Sequence, residues 1–284
     1  MRQLIEHQVF SSVRDNLQDS SRELSTAKGT VLLLSNPSLN GALSLAPIEA
    51  SLIDEEIPYR RRFSRTGPSL HISITIIDDP SIERLPEPSS PGIILAPVTV
   101  EGLRGRLGDS RKGTLSTVAQ AHVIAQCISP SSPRLRRMRP WVLSGNWIGG
   151  ALDTTYDPVY SALRDFLSNE GSIRVVPVTE VPSPEDENYE WLEPGAIANI
   201  SNEWESLDLE KRAESMDSLA EPAILRNVPS TARLEELLWH CILAPEWKSD
   251  LASQITRASN YWDRKTSKDA SSELVDSLIS KGTL

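Results

Sequence analysis

The sequence predicts an α/β protein with a doubly wound, mainly parallel sheet and a C-terminal helical extension. Three observations indicate this class. Short aliphatic runs alternate with helical patterns between residues 29 and 180. The run at 72–77 is apolar almost throughout, as in strands that are buried on both faces. Beyond residue 230 only helical patterns follow.

The individual elements follow from apolar spacing and from turn residues. Leu4, Ile5, Val9, Val13 and Leu17 recur at helical spacing and predict an amphipathic helix within residues 1–25. Strands are predicted at 31–34, 72–77, 93–95, 141–143 and 173–178, and helices at 42–56, 114–128 and Pro158–Asn169. We expect Pro47 to lie near enough to the start of its helix to be tolerated, and Thr114 to cap the next helix.

The alternation of strands and helices stops near residue 180. From residue 181 the sequence VPSPEDENYEWLEPG is rich in proline and acids, which is typical of a linker or surface loop. The predicted organisation is therefore an α/β domain at 1–180, an acidic linker at 181–230 and a helical extension at 231–284. Within the extension, helices are predicted at 231–243, about 246–262 and 271–279.

Charge and composition limit the function. Residues 1–180 hold 19 basic and 19 acidic residues, whereas 181–284 hold 10 and 20, so the C-terminal third carries the whole net charge of −10. Such a segment repels nucleic acid and suits solvent or a basic partner. No apolar run approaches the 18 residues or so of a membrane span, so no membrane partner is expected. We expect Cys127 and Cys241 to be buried thiols in a reducing cytoplasm.

Ligands of parallel α/β sheets bind beyond the carboxyl ends of the strands, so the turns at those ends are where a functional site is expected. These turns are residues 35–41, 78–80, 96–98 and 144–150. The first has the form of a catalytic turn, with aliphatic residues before it and Gly41 at its end. It contains neither a carboxylate nor a histidine.

These turns resemble the frame of the DHH phosphoesterase family, in particular its RecJ-like nucleases. The frame is carried by Asn36-Pro37-Ser38-Leu39-Asn40-Gly41 in place of His-x-Asp-x-Asp-Gly, by Ile57-Pro58-Tyr59, by Asp78, by Ala96-Pro97-Val98 in place of Asp-His-His, and by Gly149 in place of the fourth aspartate. The resemblance covers roughly residues 28–180 and consists of spacing more than of identical residues. The family's second domain, with its GGGH signature, has no counterpart here.

The losses matter because two-metal phosphoesterases need carboxylate and imidazole ligands to hold two cations. Asn36, Ser38 and Asn40 are neutral, and residues 96–98 provide no side-chain ligand. The resemblance therefore implies no catalytic residue, no metal and no cofactor. It implies a non-catalytic scaffold similar to the RecJ-derived subunit of the archaeal and eukaryotic replicative helicase. The implied partners are the GINS complex and, through it, the MCM helicase, in the cytoplasm at the nucleoid.

Two other functions remain open. A divergent phosphoesterase acting on single-stranded nucleic acid would need Asp78, Asp79 and either Asp153 or Asp157 to hold a manganese ion. A nucleic-acid-binding module, with single-stranded DNA as a partner, would use basic clusters. The basic residues that would contact phosphate or a partner are Arg60, Arg61, Arg62, Arg65, Arg104, Arg106, Arg111, Lys112, Arg134, Arg136, Arg137 and Arg139.

Overall fold

The computed structural model describes residues 1–64, 66–67, 72–78, 92–104 and 109–284. The strands in these ranges are β1 Val31–Ser35, β2 Tyr59–Arg62, β3 Ser73–Ile76, β4 Gly92–Leu95, β5 Val98–Arg104, β6 Ser110–Leu115, β7 Arg174–Val176 and β8 Cys241–Leu243. The helices are α1 Arg14–Ser25, α2 Leu39–Asp54, α3 Thr117–Ile128, α4 Pro133–Met138, α5 Ser144–Ile148, α6 Pro158–Asn169, α7 Ala196–Glu203, α8 Leu209–Arg226, α9 Thr231–Leu238, α10 Leu251–Arg264 and α11 Ser267–Lys281.

The central sheet has four parallel strands in the order β2-β1-β3-β4. Leu33 pairs with Ile74, and Ile74 with Ile93, so these side chains share one face. That face belongs to the same apolar core as α2 and α3. Leu32 and Leu34 face the other way. The parallel α/β class is confirmed, while helices on both faces, the doubly wound part, stay a prediction.

Three strands of this region, β2, β5 and β6, were not predicted. The arginine-rich run Tyr59–Arg62 forms the edge strand β2, parallel to β1. Charged side chains are tolerated there because an edge strand has one unpaired side that faces water. Strands β5 and β6 form a separate antiparallel pair, with Val98 opposite Leu115.

The predicted strand at 141–143 is wrong. Residues Arg139–Leu143 form a 3₁₀ helix, and all five are buried. A short run that is apolar throughout does not distinguish a buried strand from a buried helix. Pro140 has no N–H to contribute to a sheet, which favours the helical alternative.

The predicted strand at 173–178 exists in part but lies outside the parallel sheet. Its core, β7, pairs antiparallel with β8, with Val175 opposite Ile242. The predicted helix at 231–243 therefore ends at Leu238, and its last predicted residues form β8 instead. All side chains of β8 are buried, and a short apolar run of this kind fits a strand and a helix equally well.

Other boundaries differ because side-chain hydrogen bonds determine where helices begin. Ser116, not Thr114, caps α3, and Thr114 lies in β6. Ser38 caps α2, so Pro47 falls in the middle of that helix. The first half of the predicted amphipathic helix is replaced by two 3₁₀ helices, Leu4–Glu6 and Gln8–Phe10, and the Gln126 side chain binds the backbone of Arg2 and Leu4.

The solvated linker predicted at 181–230 is wrong for much of its length. It contains α7 and α8, and Tyr189, Trp191 and Trp204 are buried. The Trp191 indole donates to the Leu219 carbonyl oxygen at 3.1 Å, which fixes the acidic loop to α8. The burial of these large aromatic side chains offsets the conformational entropy that a charged segment loses when it becomes ordered.

The C-terminal helices pack on the parallel sheet domain. Helix α11 lies against α2, and Trp262 of α10 donates its indole N–H to the Pro37 carbonyl oxygen at 3.1 Å. The Trp141 indole similarly binds the Gly282 carbonyl oxygen at 3.0 Å. Within the described residues, no helix has both the length and the apolarity required to cross a bilayer.

Candidate functional site at the carboxyl ends of the parallel strands

A cavity of about 880 Å³ opens where β3 and β4 end and where α2 and α3 begin. Six predicted site positions line it, namely Asn40, Asp78, Ala96, Pro97, Val98 and Gly149. They come from four separate turns of the chain. Three of these turns follow β1, β3 and β4, whose carboxyl ends lie along one edge of the sheet, whereas Gly149 follows helix α5.

The turn after β1 lies beside this cavity and is held by its own hydrogen bonds. The Ser38 hydroxyl accepts from the Gly41 N–H at 3.0 Å, which caps α2, and donates to the Asp78 carboxylate. The Asn36 carbonyl oxygen accepts from the Ser35 hydroxyl and from the Ser38 N–H, both at 2.9 Å. Ser38 therefore joins the first two turns of the predicted frame.

Gly41 is required by the close approach of α2 to this turn. A Cβ atom at position 41 would lie 2.6 Å from the Asn36 carbonyl oxygen and 2.8 Å from the Ser35 hydroxyl oxygen. Contacts this short are excluded by van der Waals repulsion, so any side chain here would displace the turn. The glycine that ends the predicted motif thus has a steric role independent of metal binding.

Among the described residues, three aspartates line the cavity, and each accepts a hydrogen bond from another residue. Asp78 accepts from Ser38, and Asp153 accepts from the Arg233 guanidinium, with 2.7 Å between Oδ1 and Nε. Asp157 is 8% exposed and caps α6 through the Tyr160 N–H at 2.5 Å. Burial raises the pKa of Asp157, while hydrogen bonds from backbone N–H groups and from Asn146 oppose that shift.

Two amide oxygens at the cavity have no hydrogen-bond partner in the described part of the chain. They are Oδ1 of Asn40 and Oδ1 of Asn146, and the Asn146 side chain is 3% exposed. The Asn146 amide nitrogen donates to the Thr114 carbonyl oxygen at 2.6 Å, which fixes its orientation. Both oxygens are themselves buried, so neither is an acceptor that a ligand in the cavity can reach without movement of its side chain.

The side chains at the family's ligand positions fit a divalent metal poorly. Amides, a hydroxyl and an apolar turn replace the expected carboxylates and histidines, and they do not neutralise divalent charge. Among the described residues, no three His, Cys, Asp or Glu side chains are close enough to share one ion. Asp79, which the phosphoesterase alternative uses, lies outside the described residues.

None of the predicted basic residues that the structure describes lines this cavity, and several of them form internal ion pairs. Arg61 binds Glu49 and Asp276, at 3.0 Å and 2.8 Å, and Arg134 binds Asp54. Arg139 is 2% exposed and pairs with Glu170 at 2.7 Å. Burial raises the pKa of Glu49, although the Arg61 charge acts in the opposite direction.

The remaining basic side chains are more available. Arg60, Arg111, Lys112, Arg136 and Arg137 are exposed, and Arg62 is half-buried. Arg137 reaches α11 through the Ser280 carbonyl oxygen, one helical turn from the Asp276 partner of Arg61, so two of the predicted clusters lie near the same helix. Arg104 ends β5, and Arg65 and Arg106 lie outside the described residues.

Sequence reasoning missed several residues that build the site. Asn146 was not named as a site residue, although it lies in the turn at 144–150 where a functional site was expected. Ser116 and Thr117 precede an apolar helical run and have the N-cap signature, so they could have been found. Arg233 and Trp262 reach the site from helices far along the chain, which no local pattern indicates.

His122 and the cysteines have structural environments. His122 is 3% exposed within α3, as expected of a core histidine, and burial lowers its pKa to about 3, with a smaller effect from the Arg139 charge. Both cysteine thiols are free; Cys241 is buried and Cys127 is half-buried.

Comparison of the chain with models of known protein families and with curated proteins finds no match.

Proposed function

We propose that this chain is a non-catalytic scaffold whose α/β domain derives from a DHH phosphoesterase and that acts in the replicative helicase. The observation that carries the proposal is the meeting of Asn40, Asp78, Pro97 and Gly149 at one cavity. Any parallel sheet brings the turns after neighbouring strands to one edge. The proposal is therefore supported by the further positions of the resemblance, Asn40 and Gly149, which line the same cavity. The order of the strands, with β3 between β1 and β4, accounts for the proximity of Asn40, Asp78 and Pro97.

The chemistry of those positions supports a scaffold more than a hydrolase. A two-metal mechanism requires anionic ligands that hold two cations about 3.5–4 Å apart. Here Asn36, Ser38 and Asn40 are neutral, and Ser38 occupies one oxygen of Asp78. The turn is held by its own hydrogen bonds and by Trp262, and this supports an architectural role that is independent of metal.

The partners follow from the resemblance alone. We propose that the chain binds the GINS complex and, through it, the MCM helicase, in the cytoplasm at the nucleoid. The test is size-exclusion chromatography with light scattering on this chain mixed with the GINS proteins of the same organism. A stoichiometric complex at micromolar concentration is the expected result, and separate elution at that concentration would contradict the proposal.

A second candidate is a divergent phosphoesterase, because Asp78, Asp153 and Asp157 all line the cavity. A single manganese ion would have to displace Arg233 from Asp153 and Ser38 from Asp78. Single-stranded DNA and RNA with manganese are the substrates to test. Hydrolysis that is lost in Asp78→Ala but retained in the control Asp263→Ala, which changes an exposed acid elsewhere, would establish this candidate and overturn the scaffold.

A third candidate, nucleic-acid binding, is favoured by the exposed residues Arg60, Arg136 and Arg137. The acids Glu49, Asp54 and Asp276 neutralise much of the neighbouring charge. Fluorescence anisotropy with labelled single-stranded DNA would test this candidate. Affinity that falls steeply between 50 and 200 mM salt, roughly as expected for several phosphate contacts, would support it.

A further inference from the structure

The negative charge of the chain is concentrated on a folded surface. Residues 181–230 contain 12 acidic and 3 basic residues. They form a loop, α7 and α8, and their aromatic side chains are buried, so the acids are displayed on a fixed framework. A fixed array of like charges raises the local potential and attracts groups of opposite charge.

This surface contains a second cavity of about 460 Å³, between the loop at 181–195 and α7. Its apolar lining includes Pro184, Leu192 and Ile197. Asp186, Glu190 and Glu193 also line it and are exposed to solvent. The volume lies within the range that accommodates small ligands and single large side chains.

Hydrogen bonds from surrounding elements preform the loop that bounds this cavity. The Tyr189 hydroxyl donates to the Leu237 carbonyl oxygen at 3.2 Å, and Ser183 N–H donates to the Lys248 carbonyl oxygen at 2.8 Å. The Glu185 N–H donates to the Ser253 hydroxyl at 2.8 Å. A preformed cavity loses less conformational entropy when a ligand binds.

The acids of the rim differ from their neighbour Glu185, which forms an ion pair with Arg257. In the described part of the chain, Asp186, Glu190 and Glu193 form no ion pair. Three uncompensated carboxylates around an apolar interior disfavour anionic ligands, nucleic acid included. They favour a ligand that combines positive charge with an apolar group.

We propose that this cavity binds a lysine- or arginine-rich segment of a partner protein, with one apolar side chain of that segment inside and its basic residues on the acidic rim. The apolar interior selects a segment that carries an apolar side chain, and the carboxylates select a segment that is positively charged. The inference does not depend on descent from a phosphoesterase, and it holds whichever function the strand-end cavity has.

The end of α8 extends this surface. Arg226 donates to the Glu190 carbonyl oxygen at 3.5 Å, so the last turn of α8 borders the Glu190 side of the cavity. Ile224 and Leu225 in that turn are 66% and 79% exposed. A segment that continues past the cavity would cover these side chains, which is a reason for such large apolar groups to lie at the surface.

The test uses the full chain and a fluorescein-labelled peptide in which one leucine is flanked by lysines, with binding measured by fluorescence anisotropy. The comparison peptide has serine in place of leucine. Ala198→Trp fills the cavity from an exposed position of its lining. Glu190→Lys with Glu193→Lys reverses the rim charge, and Glu203→Lys with Glu205→Lys makes the same change on exposed acids that do not line the cavity.

We expect the leucine peptide to bind about tenfold more tightly than the serine peptide, a difference of about 1.4 kcal/mol. Ala198→Trp and the rim variant should each lose at least about tenfold in affinity, while the control variant loses less than about twofold. Circular dichroism should show that all variants are folded. Equal binding of both peptides, unchanged binding by Ala198→Trp, equal losses in the two charge variants, or no binding at millimolar peptide would each overturn the proposal.

Discussion

The Ser38 hydroxyl donates a hydrogen bond to the Asp78 carboxylate across 40 positions of sequence, and the same hydroxyl caps α2. One side chain therefore stabilises a helix terminus and joins the ends of β1 and β3. Ser38→Ala removes both interactions, and we expect the free energy of unfolding to fall by about 1–2 kcal/mol. Urea denaturation measures this change.

A matched substitution separates the two roles of Ser38. Asp78→Asn keeps an oxygen that accepts from Ser38 and leaves the cap intact, so its cost should be smaller than that of Ser38→Ala. Ser38→Thr retains a capping hydroxyl and should lie close to the unsubstituted chain. A Ser38→Ala variant as stable as the unsubstituted chain would show that the turn is held without this side chain.

His122 should make stability depend on acidity. Its pKa is about 3 in the folded chain and 6.5 in the unfolded one. Between these values the unfolded chain binds a proton that the folded chain excludes, so stability is retained above pH 6.5 and falls as the pH drops toward 3. The slope for one such group is about 1.4 kcal/mol per pH unit.

The measurement is urea denaturation of the unsubstituted chain and of His122→Leu at pH 7 and pH 4.5. The unsubstituted chain should lose about 2–3 kcal/mol more than the variant between these two values. Comparing the two slopes removes the contributions of other titrating groups and of the packing change itself. Parallel slopes would mean that His122 is protonated in the folded state.

Replacing only one partner of the buried ion pair between Arg139 and Glu170 should lower the free energy of unfolding substantially. Both side chains are 2% exposed, and Arg139 also donates to the Arg2 carbonyl oxygen at 2.8 Å. Burial acts to raise the pKa of Glu170, but Arg139 and Ser172 outweigh it and the pKa is lowered. We expect Arg139→Met alone to cost about 3–5 kcal/mol, because it leaves the Glu170 charge buried.

The double variant, Arg139→Met with Glu170→Leu, tests that reason. Removing both charges leaves no uncompensated ion, so the double variant should be more stable than Arg139→Met alone. Thermal unfolding of the three proteins measures the order. If the second substitution adds a further loss, packing and not charge explains the effect of the first.

Gly41 should not tolerate a side chain. Gly41→Ala places a Cβ atom against the Asn36 carbonyl oxygen, which belongs to the backbone and cannot rotate away. Overpacking of this kind costs about 1–3 kcal/mol, larger than any gain in helix propensity. Urea denaturation measures the loss, and a crystal structure of the variant should show the turn at 35–38 displaced from α2.

The hydrogen bond from Trp262 should stabilise the turn after β1. Trp262→Phe removes the hydrogen bond to the Pro37 carbonyl oxygen and should cost about 1 kcal/mol. Amide hydrogen exchange should become faster at residues 35–41. Trp239→Phe is the control, because the Trp239 indole has no hydrogen bond within the described residues. Equal exchange in both variants would contradict this role.

Local sequence signals predicted the elements whose first and last residues are marked by capping or turn residues. Helix α6 was predicted at Pro158–Asn169 and occurs there, because Asp157 caps it, Pro158 fits its first turn and Gly171 follows it. Strands β1, β3 and β4 lie within or beside the predicted aliphatic runs. The strand at 141–143 failed because apolar residues without a period fit a helix equally well.

The sequence predicted only those parts of the candidate site whose residues are brought together by the topology of the parallel sheet. Parallel strands bring Asp78 and Pro97 to one edge whatever the intervening chain does. The pairing of β7 with β8, and the approach of Arg233 to Asp153, depend on packing between segments far apart in sequence. Such long-range pairs leave no trace in a local window, so the order of residues 181–230 was missed as well.

The position of α11 on α2 has a consequence for synthesis. During translation the amino-terminal strands leave the ribosome long before Trp262 and Gly282, which complete their surroundings. The nascent sheet therefore has the outer side of α2 uncovered until α11 has been synthesised. A chain that is interrupted before α11 would therefore have an exposed apolar surface and would be a substrate for chaperones or proteases.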